Sequence, residues 1–372
     1  MPAVLVAQPS ADTYGSDRQL LESIHGLRAS GWDVTVCLPD TGPLVELLDG
    51  VEVDVSPFPV LRKALLRPVP IVGLLLRTPL DLLRLVRRIR ARRPDVVYVN
   101  TVTIPLWILA ARLARVPVLV HVHEAEDAAA RPVRIALNAP LLLAQVVVAN
   151  SAASAHTVAD AVPRLTARTV VIPNGIPDSG PAPATDAQPG RVALIARLSP
   201  RKGVDVALEA VARLRRDGRD VQLDICGTAY PGYEWFERDL RRRAAQPDLA
   251  GAVRLHGYVN PTTPMLATAS VVIVPSRVEP FGNTAVEGML AARPVVASRV
   301  QGLAEIVDDG RTGLLVEPDD PSALAAAIAR LLDDPDAARQ LATAGRIEAQ
   351  LRFSASRYRR EIEKALTGAT RG

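Results

Sequence analysis

The sequence predicts an α/β protein made of two Rossmann-like domains, each built around a doubly wound parallel sheet. Short apolar runs typical of buried parallel strands alternate with helical segments along nearly the whole chain. The length of 372 residues suits two domains, each with a core of its own. The alternation stops over residues 178–190, which are rich in Pro, Gly and Ala, and then restarts, so this stretch predicts a linker.

The strand-like runs set the predicted order of elements. They lie at residues 4–7, 34–38, 96–100, 117–122, 146–149 and 169–173, and then at 191–196, 221–226, 253–257, 271–275, 294–298 and 313–316. These runs are rich in Val, Ile and Leu, and helical segments lie between them, which is the pattern of βαβ units. Two such sheets are expected to face each other across a cleft, because open α/β sheets bind ligands outside the carboxyl ends of their strands.

The predicted domains follow from this order. An N-terminal domain spans residues 1–175, a linker spans 176–190 and a second domain spans 191–352. The last segment, 353–372, has a helical pattern beyond the final strand and could cross back to the first domain.

Charge and cysteine content narrow the range of functions. The net charge of +4 comes from 44 basic and 40 acidic residues, and only Lys63, Lys202 and Lys364 are lysines. Without basic patches interleaved with aromatic residues, no nucleic-acid partner is expected. Cys37 and Cys226 lack the spacing of a metal site or a disulfide frame.

There is no basic signal-peptide region and no apolar run of transmembrane length, so we expect a cytoplasmic protein that is at most peripheral on a membrane.

The most informative stretch is RVEPFGNTAVEG at residues 277–288. It follows a buried strand-like run, so it predicts the order strand, glycine-containing loop, helix at the ligand-binding edge of a sheet. Glu279 falls on the loop and Glu287 about one turn inside the helix. The first amides of that helix, near Asn283 and Thr284, could meet an anion.

Local pattern leaves an alternative for Glu287. Thr284 and Glu287 have the spacing of a capping box, in which the hydroxyl accepts from the amide three residues on and the glutamate reaches back to the cap. This structural interpretation says nothing about Glu279 or the glycine turn that follows it.

A second strand-to-helix turn, YGSD at residues 14–17, follows the first strand-like run. Its amides, near Gly15 and Ser16, could bind a phosphate at a helix N-terminus. An ordinary turn capped by Ser16 or Asp17 explains the same pattern. The chain has neither a GxGxxG fingerprint nor a Walker A loop, which counts against dinucleotide dehydrogenases and P-loop enzymes.

The sequence VHVHE at residues 120–124 puts His121 and His123 two residues apart on one side of a strand end. A zinc pair would need a third ligand, and none is spaced nearby, so no metal is expected. We favour a structural role for the inner His121. His123 is predicted to lie on the edge of the cleft, where it would donate to a substrate hydroxyl.

A third turn, ARLSPRKG at residues 196–203, precedes an amphipathic helix and is bracketed by Arg197 and Lys202. In a chain that almost always uses arginine, a lysine beside a glycine at a strand-to-helix loop indicates a phosphate site, because an ammonium acts as a compact point charge. A solvated surface lysine is the alternative.

The segment 61–95 contains ten basic residues against Asp81 and Asp95. Thr78, Pro79 and Asp81 have the pattern of a helix cap, a first-turn proline and a third-position acid, so a basic amphipathic helix is predicted to begin there. Such a helix can lie on an anionic membrane surface. The alternative is a helix that packs on the sheet and leaves a solvated arginine face.

Together these motifs resemble the retaining nucleotide-sugar glycosyltransferases of family 4 (GT4), which have the GT-B fold. The resemblance covers almost the whole chain in the same order, and it includes NS at 150–151 and IPNGI at 172–176. It is most specific in the RLSPRKG turn and in EPFGNTAVE, with seven residues between its glutamates. The chain departs from the family where paired glycines are common, since it has Ser16 after Gly15 and Gln301 before Gly302.

The resemblance implies a role for each matched residue. His123 and Glu279 would be catalytic, both in contact with the sugar. The ribose would be held by Glu287, the diphosphate by Arg197 and Lys202, and the sugar also by backbone amides of the glycine turn. The donor-binding residues implied are Gly15, Ser16, Arg197, Lys202, Tyr258 near the base, Phe281, Gly282, Asn283, Thr284 and Glu287.

The resulting hypothesis is a retaining glycosyltransferase that moves a sugar from a nucleoside diphosphate sugar to a hydroxyl acceptor during polysaccharide, glycolipid or other glycoconjugate biosynthesis. No metal or other cofactor is expected, because Arg197, Lys202 and helix N-termini would meet the charge of the leaving diphosphate. A sugar-nucleotide epimerase of the same fold and a non-catalytic nucleotide-sugar binding protein are the alternatives.

Overall fold

The computed structural model describes residues 1–61, 68–125, 130–181 and 187–371, with the backbone alone for 68–76. The chain forms two compact units, one of Met1–Gly175 with Ala355–Gly372 and one of Ile176–Ser354. Each unit has its own parallel sheet, which confirms the predicted α/β class with two doubly wound sheets. Residues 182–186 of the predicted linker lie outside the described residues.

The sheet of the first unit has seven strands, and every neighbouring pair is parallel. Its order is β3-β2-β1-β4-β5-β6-β7, which reverses direction between β1 and β4. Such a reversal opens a crevice at the carboxyl ends of the two strands. The strands are β1 (Ala3–Ala7), β2 (Asp33–Leu38), β3 (Glu52–Val55), β4 (Val96–Val99), β5 (Val118–Val122), β6 (Val146–Ala149) and β7 (Thr169–Val171).

Helices cover this sheet, including the last helix of the chain (Ala355–Arg371), here called the C-terminal helix. The C-terminal helix packs on α1, and its Arg359 binds Glu22 at 2.6 Å. A Cβ added at Gly26 of α1 would lie 2.6 Å from the Cβ of Arg359, so glycine permits this close approach. The other helices are α1 (Gly15–Ala29), α2 (Pro43–Glu46), α3 (Pro68–Arg92), α4 (Pro105–Ala114), α5 (Arg131–Asn138) and α6 (Ala152–Ala161).

Strand β3 is not among the predicted strands. Its sequence alternates acidic with apolar residues, because it forms an edge of the sheet and faces charged residues of α3. Arg92 of α3 donates to Glu52 at 2.6 Å, and Arg88 donates to Asp54 at 2.8 Å. Ion pairs therefore hold this edge to the helix where a central strand would use apolar contacts.

The predicted start of a helix at Thr78 and Pro79 is wrong. Helix α3 begins at Pro68, and Pro79 lies inside it. The sequence before Thr78 continues the helix, so no N-terminus is left for that residue to cap, and Pro79 costs the helix one backbone hydrogen bond. Residues 62–67 of the basic segment lie outside the described residues. No helix in the described ranges has both the length and the hydropathy needed to cross a membrane.

The second unit repeats the plan with six strands in the order β10-β9-β8-β11-β12-β13. This order reverses between β8 and β11, so the crevice lies at the ends of those two strands. The strands are β8 (Arg191–Ile195), β9 (Gln222–Cys226), β10 (Val253–Gly257), β11 (Val271–Val274), β12 (Val295–Ser298) and β13 (Leu314–Val316). The helices are α7 (Val204–Arg216), α8 (Glu234–Ala244), α9 (Thr263–Thr268), α10 (Asn283–Leu290), α11 (Gln301–Ile306), α12 (Pro321–Asp333) and α13 (Pro335–Arg352).

Candidate active site

Two loops meet at the crevice of the second unit, the β8–α7 loop (196–203) and the β11–α10 loop (275–282). Their backbones are in contact, because the amide of Arg277 donates to the carbonyl of Arg201 at 2.8 Å. Gly203 closes the first loop with φ +62°, and a Cβ there would lie 1.8 Å from the carbonyl oxygen of Pro275. Glycine is therefore required at this position for the two loops to meet.

The stability of this junction can be tested at Gly203. Gly203→Ala would combine a left-handed backbone with a steric clash, so we expect it to lower the free energy of unfolding by roughly 2 kcal/mol or more. The matched control is Gly218→Ala, at φ +80° with no atom within 4 Å of the added Cβ, which should cost only about 1 kcal/mol. Thermal unfolding of both variants checks the difference. Equal losses would mean that the loops do not approach this closely.

Arg277 ties the two loops together through its side chain, a role that the sequence analysis did not assign. Its guanidinium binds Asp205, at the start of α7, through two hydrogen bonds of 2.9 and 2.8 Å. The same group donates to the carbonyl of Pro200 at 2.5 Å and pairs with Asp319. The only sequence signal was its place next to the EPFG turn. Arg277 thus fixes the β8–α7 loop relative to the loop that carries Glu279.

Lys202 and Glu279, predicted separately from the two loops, form an ion pair. The ammonium of Lys202 donates to Glu279 Oε2 at 2.5 Å, and the hydroxyl of Ser276 donates to the same oxygen at 3.1 Å. The side chains of Lys202 and Glu279 are 24% and 11% exposed, respectively. The alternative interpretation of Lys202 as a solvated surface lysine is therefore wrong. A cation and a carboxylate therefore sit side by side at the crevice, each partly shielded from water.

The interpretation of Thr284 and Glu287 as a capping box is wrong. Helix α10 begins at Asn283 with Gly282 as its N-cap, so Thr284 is inside the helix. The hydroxyl of Thr284 donates to the carbonyl of Ile195 at the end of β8, at 3.0 Å. Glu287 instead accepts from the hydroxyl of Thr262 at 3.4 Å, which links it to the segment that follows β10.

The glycine turn before α10 keeps its backbone close to the helix start while its side chains pack inward. Phe281 is 4% exposed, and its ring packs edge-on against that of Phe353, with 5.7 Å between the ring centroids. Gly282 has φ +126°, and a Cβ there would lie 2.6 Å from Leu303. Asn283 is the first residue of the helix. A ligand contact of Phe281 would therefore come from its backbone amide, as the resemblance implies, since the ring belongs to the core.

Arg197 and Tyr258 lie on neighbouring parts of the same sheet edge. The guanidinium of Arg197 stacks on the ring of Tyr230, 5.3 Å from its centroid, so a tyrosine not singled out in the sequence orients this arginine. Tyr258 directly follows β10 and is 49% exposed, which leaves much of its ring accessible. The exposed ring suits the predicted contact with a base.

In the first unit, the predicted turn at residues 14–17 is the start of α1, with Tyr14 as its N-cap. The helix begins at Gly15, so Gly15 and Ser16 belong to its first turn, whose amides have no partner within a helix. Asp17 accepts from the amide of Tyr14 at 2.8 Å and from the side-chain amide of Gln8 at 2.5 Å. Asp17 therefore caps the helix, as the structural alternative held, and also anchors a buried polar network.

That network fixes the proton on His123. The amide nitrogen of Asn100 donates to Gln8 Oε1 at 2.7 Å, so Asn100 Oδ1 is the atom that faces His123 Nε2 at 2.9 Å. Because Oδ1 can only accept, Nε2 carries the proton and Nδ1 is left as an acceptor. The free role of the His123 ring is thus that of an acceptor through Nδ1, whereas the sequence analysis expected this histidine to donate to a substrate hydroxyl.

Both histidines of this pair are neutral at pH 7. Burial lowers the pKa of His123 to about 3 and the pKa of His121 well below its usual value, because a charged imidazolium is poorly solvated there. His121 is fully buried, its Nδ1 lies 2.8 Å from the hydroxyl of Tyr98, and its ring lies 4.0 Å from that of His123. These contacts agree with a structural role for His121. Within the described parts of the chain, no group of three or more His, Cys, Asp or Glu could hold a metal ion.

Both halves of the chain match models of known glycosyltransferase families. Residues 14–179 match the model described as Glycosyltransferase Family 4, and residues 189–334 match the model described as Glycosyl transferases group 1. The chain belongs to the family 4 glycosyltransferases. Among curated relatives of this family 4 glycosyltransferase, glycogen synthase of Mycobacterium tuberculosis is 35% identical over 187 residues, which are 48% of this chain and 44% of the relative. Alpha-D-kanosaminyltransferase of Streptomyces kanamyceticus is 34% identical over 41% of this chain and 38% of its own length.

Solved structures show the fold over nearly the full length of this family 4 glycosyltransferase. Anabaena Alr3699/HepE in complex with UDP and glucose superposes with a TM-score of 0.85 over 98% of this chain and 99% of its own, at 24% identity. Sucrose-phosphate synthase of Thermosynechococcus elongatus gives a TM-score of 0.76 over 98% of each chain, at 22% identity. The chain therefore has the GT-B fold that the motifs implied. It spans less than half the length of the two curated relatives.

Proposed function

We propose that this chain transfers a sugar from a nucleoside diphosphate sugar to a hydroxyl acceptor, with retention of configuration and without a metal ion, in glycoconjugate biosynthesis. The pairing of Lys202 with Glu279 carries the proposal. One partly buried site offers a cation suited to phosphate and a carboxylate suited to sugar hydroxyls. The first turn of α10, with its outward amides, lies directly after the loop that carries Glu279.

The roles follow from the chemistry of each group. Lys202 and Arg197 bind the diphosphate and stabilise the negative charge that grows as the bond from the anomeric carbon to the phosphate oxygen breaks. The acceptor oxygen bonds to the anomeric carbon on the same face, and its proton passes to the leaving phosphate oxygen. Glu279 accepts hydrogen bonds from sugar hydroxyls. In the first unit, His123 offers Nδ1 as an acceptor to a substrate hydroxyl. Fixed cations thus take the place that a metal ion has in other transferases.

Incubation with a panel of donors tests the proposal. UDP-sugars come first, because HepE was crystallised with UDP, and GDP- and ADP-sugars follow. A new glycoside with the anomeric configuration of the donor, formed equally well in EDTA, is the expected result, measured by NMR of the anomeric proton. An isomerised donor would indicate an epimerase, and a bound but unchanged donor a binding protein. Activity that is lost in EDTA and restored by manganese would overturn the metal-free mechanism.

Glu287 is proposed to hold the ribose of the donor. Its link to Thr262 places it near the segment that carries Tyr258, where the base is proposed to lie. Glu287→Gln is expected to weaken nucleoside diphosphate binding by roughly tenfold, because a hydrogen bond to a charged group is worth about 1.5–3 kcal/mol. Calorimetry with UDP, GDP and ADP measures the loss. A drop in thermal stability with unchanged affinity would instead assign Glu287 a structural role.

A membrane contact through α3 is a second part of the proposal. Leu80 and Leu83 are 51% and 44% exposed on this helix, and the side chain of Arg84 is 66% exposed beside them. Arg88 and Arg92 pair with acidic residues of β3, so only part of the basic segment remains for lipid. Exposed leucines next to arginines fit the interface of an anionic bilayer.

Vesicle binding tests this contact. The chain is expected to sediment with vesicles of anionic phosphatidylglycerol and to be released from them by salt, because the attraction is partly electrostatic. It should not sediment with vesicles of neutral phosphatidylcholine. Arg84→Glu with Arg87→Glu reverses two exposed charges of α3 and should abolish binding. The matched control changes the same charges on α8 of the other unit, Arg241→Glu with Arg242→Glu, and should leave binding intact. Equal sedimentation with both lipids would refute the membrane contact.

A further inference from the structure

Gln301 occupies a backbone conformation that normally calls for glycine. It follows β12 at the start of α11 with φ +37°, in the left-handed region. A side chain there is strained, so surrounding contacts must hold the residue in place. The next residue, Gly302, has no room for a side chain, because a Cβ would lie 2.5 Å from the backbone of Phe281 and Pro280.

The contacts of these two residues converge on one peptide of the candidate site. The amide of Glu279 donates to the side-chain carbonyl of Gln301 at 2.9 Å. The carbonyl of Glu279 accepts from the amide of Gly302 at 3.1 Å. Glu279 is therefore held on both sides of its own backbone from a loop 22 residues away, while its carboxylate is held by Lys202 and Ser276.

The source of each contact decides what a substitution removes. The bond from the Gly302 amide is made by the backbone and survives changes of side chain at position 301. The bond to the Glu279 amide needs an acceptor at the end of a side chain as long as glutamine. Since Glu279 is 9% exposed, its amide has little access to water as a replacement partner, and losing the acceptor leaves a largely buried donor unsatisfied.

We propose that Gln301 is a positioning residue for sugar transfer: its side-chain carbonyl fixes the backbone of Glu279, and thereby the carboxylate that contacts the sugar. This role rests on the proposed function of Glu279. Nucleoside diphosphate binding is assigned to Lys202 and Arg197, so we expect a change at Gln301 to act on the sugar far more than on the diphosphate. The strained backbone of Gln301 is retained because only a side chain can supply the acceptor.

Two variants separate the acceptor from the strain. Gln301→Gly removes both, and Gln301→Met keeps a similar length without the acceptor. Both are expected to lower kcat about 10- to 100-fold, as displacements near a reacting group do, with the Kd for UDP within twofold of the parent. Gln301→Gly should melt at a higher temperature than Gln301→Met, because both lose the acceptor and only the Gly variant relieves the left-handed strain. Gln301→Glu, which keeps an acceptor of the same length, should recover part of kcat.

Hydrogen exchange of the Glu279 amide provides a readout that needs no transfer activity. We expect this amide to exchange at least tenfold faster in Gln301→Gly and Gln301→Met than in the parent or in Gln301→Glu. If the parent chain transfers no sugar from any donor but the Gly and Met variants still exchange faster than the parent, the proposed function is refuted and the positioning of Glu279 stands. Unchanged exchange, or full kcat in both Gly and Met variants, would overturn the inference. A fall in stability with unchanged kcat would assign Gln301 to folding alone and would also overturn it.

Discussion

Glu279→Gln is expected to lower the turnover of sugar transfer on the order of 100-fold while nucleoside diphosphate binding is kept or becomes tighter. Glutamine has the shape of glutamate, so Ser276 and Gln301 keep their contacts with it, but it lacks the charge that would favour a positively polarised sugar. The Glu279 carboxylate also forms an ion pair with Lys202, in which Nζ lies 2.5 Å from Oε2. Its removal frees that ammonium for the diphosphate.

The measurement compares kcat for the donor that proves active with the Kd for the sugar-free nucleoside diphosphate from calorimetry. Glu317→Gln is the matched control, since the side chain of Glu317 is 71% exposed in the same unit, and it should change neither quantity. Wild-type turnover in Glu279→Gln would remove this residue from the site. An equal loss in kcat and in nucleoside diphosphate affinity would show that Glu279 shapes the whole pocket and has no separate role in the reaction.

The sequence predicted the fold well because most strands are buried on both faces. Such strands read as continuous apolar runs, as VVIV of β11 does. The edge strand β3 was missed, since Glu52 and Asp54 break the run and their partners lie on α3. The start of α3 was misplaced because proline is favoured in the first turn of a helix, whereas Pro79 lies inside a longer one. In both cases the deciding contacts or neighbours lie outside the local pattern.

The candidate site was predicted residue by residue but not as an arrangement. Lys202 and Glu279 each stood out by type and position, yet their pairing joins residues 77 apart and needs the strand order that brings β8 beside β11. Thr284 had the local pattern of a helix cap, but its hydroxyl donates a hydrogen bond to the carbonyl of Ile195 at the end of β8. Tyr230 belongs to no motif, and Gln301 stood out only as a departure from a glycine pair. The contacts of both residues appear only once the loops are placed.

Lys202→Ala is expected to weaken nucleoside diphosphate binding by roughly 10- to 100-fold. A charge-assisted contact to phosphate contributes about 1.5–3 kcal/mol, and each 1.4 kcal/mol is a factor of ten in Kd. A second effect adds to the loss, because Glu279 is left without its partner close to the incoming diphosphate, and two negative charges repel. The fold should be retained, since the side chain of Lys202 is 24% exposed and its loss opens no apolar cavity.

A double-mutant cycle separates these two effects. If repulsion from Glu279 contributes, Lys202→Ala combined with Glu279→Gln should bind UDP more tightly than Lys202→Ala alone, so the two changes are non-additive. The control is Lys364→Ala, an exposed lysine on the C-terminal helix, which should leave the Kd unchanged. If the Kd of Lys202→Ala stays within twofold of the parent by calorimetry, the ion pair serves only to hold the two loops together. In that case another cation must bind the diphosphate. Arg197, which stacks on Tyr230, would be the next residue to substitute.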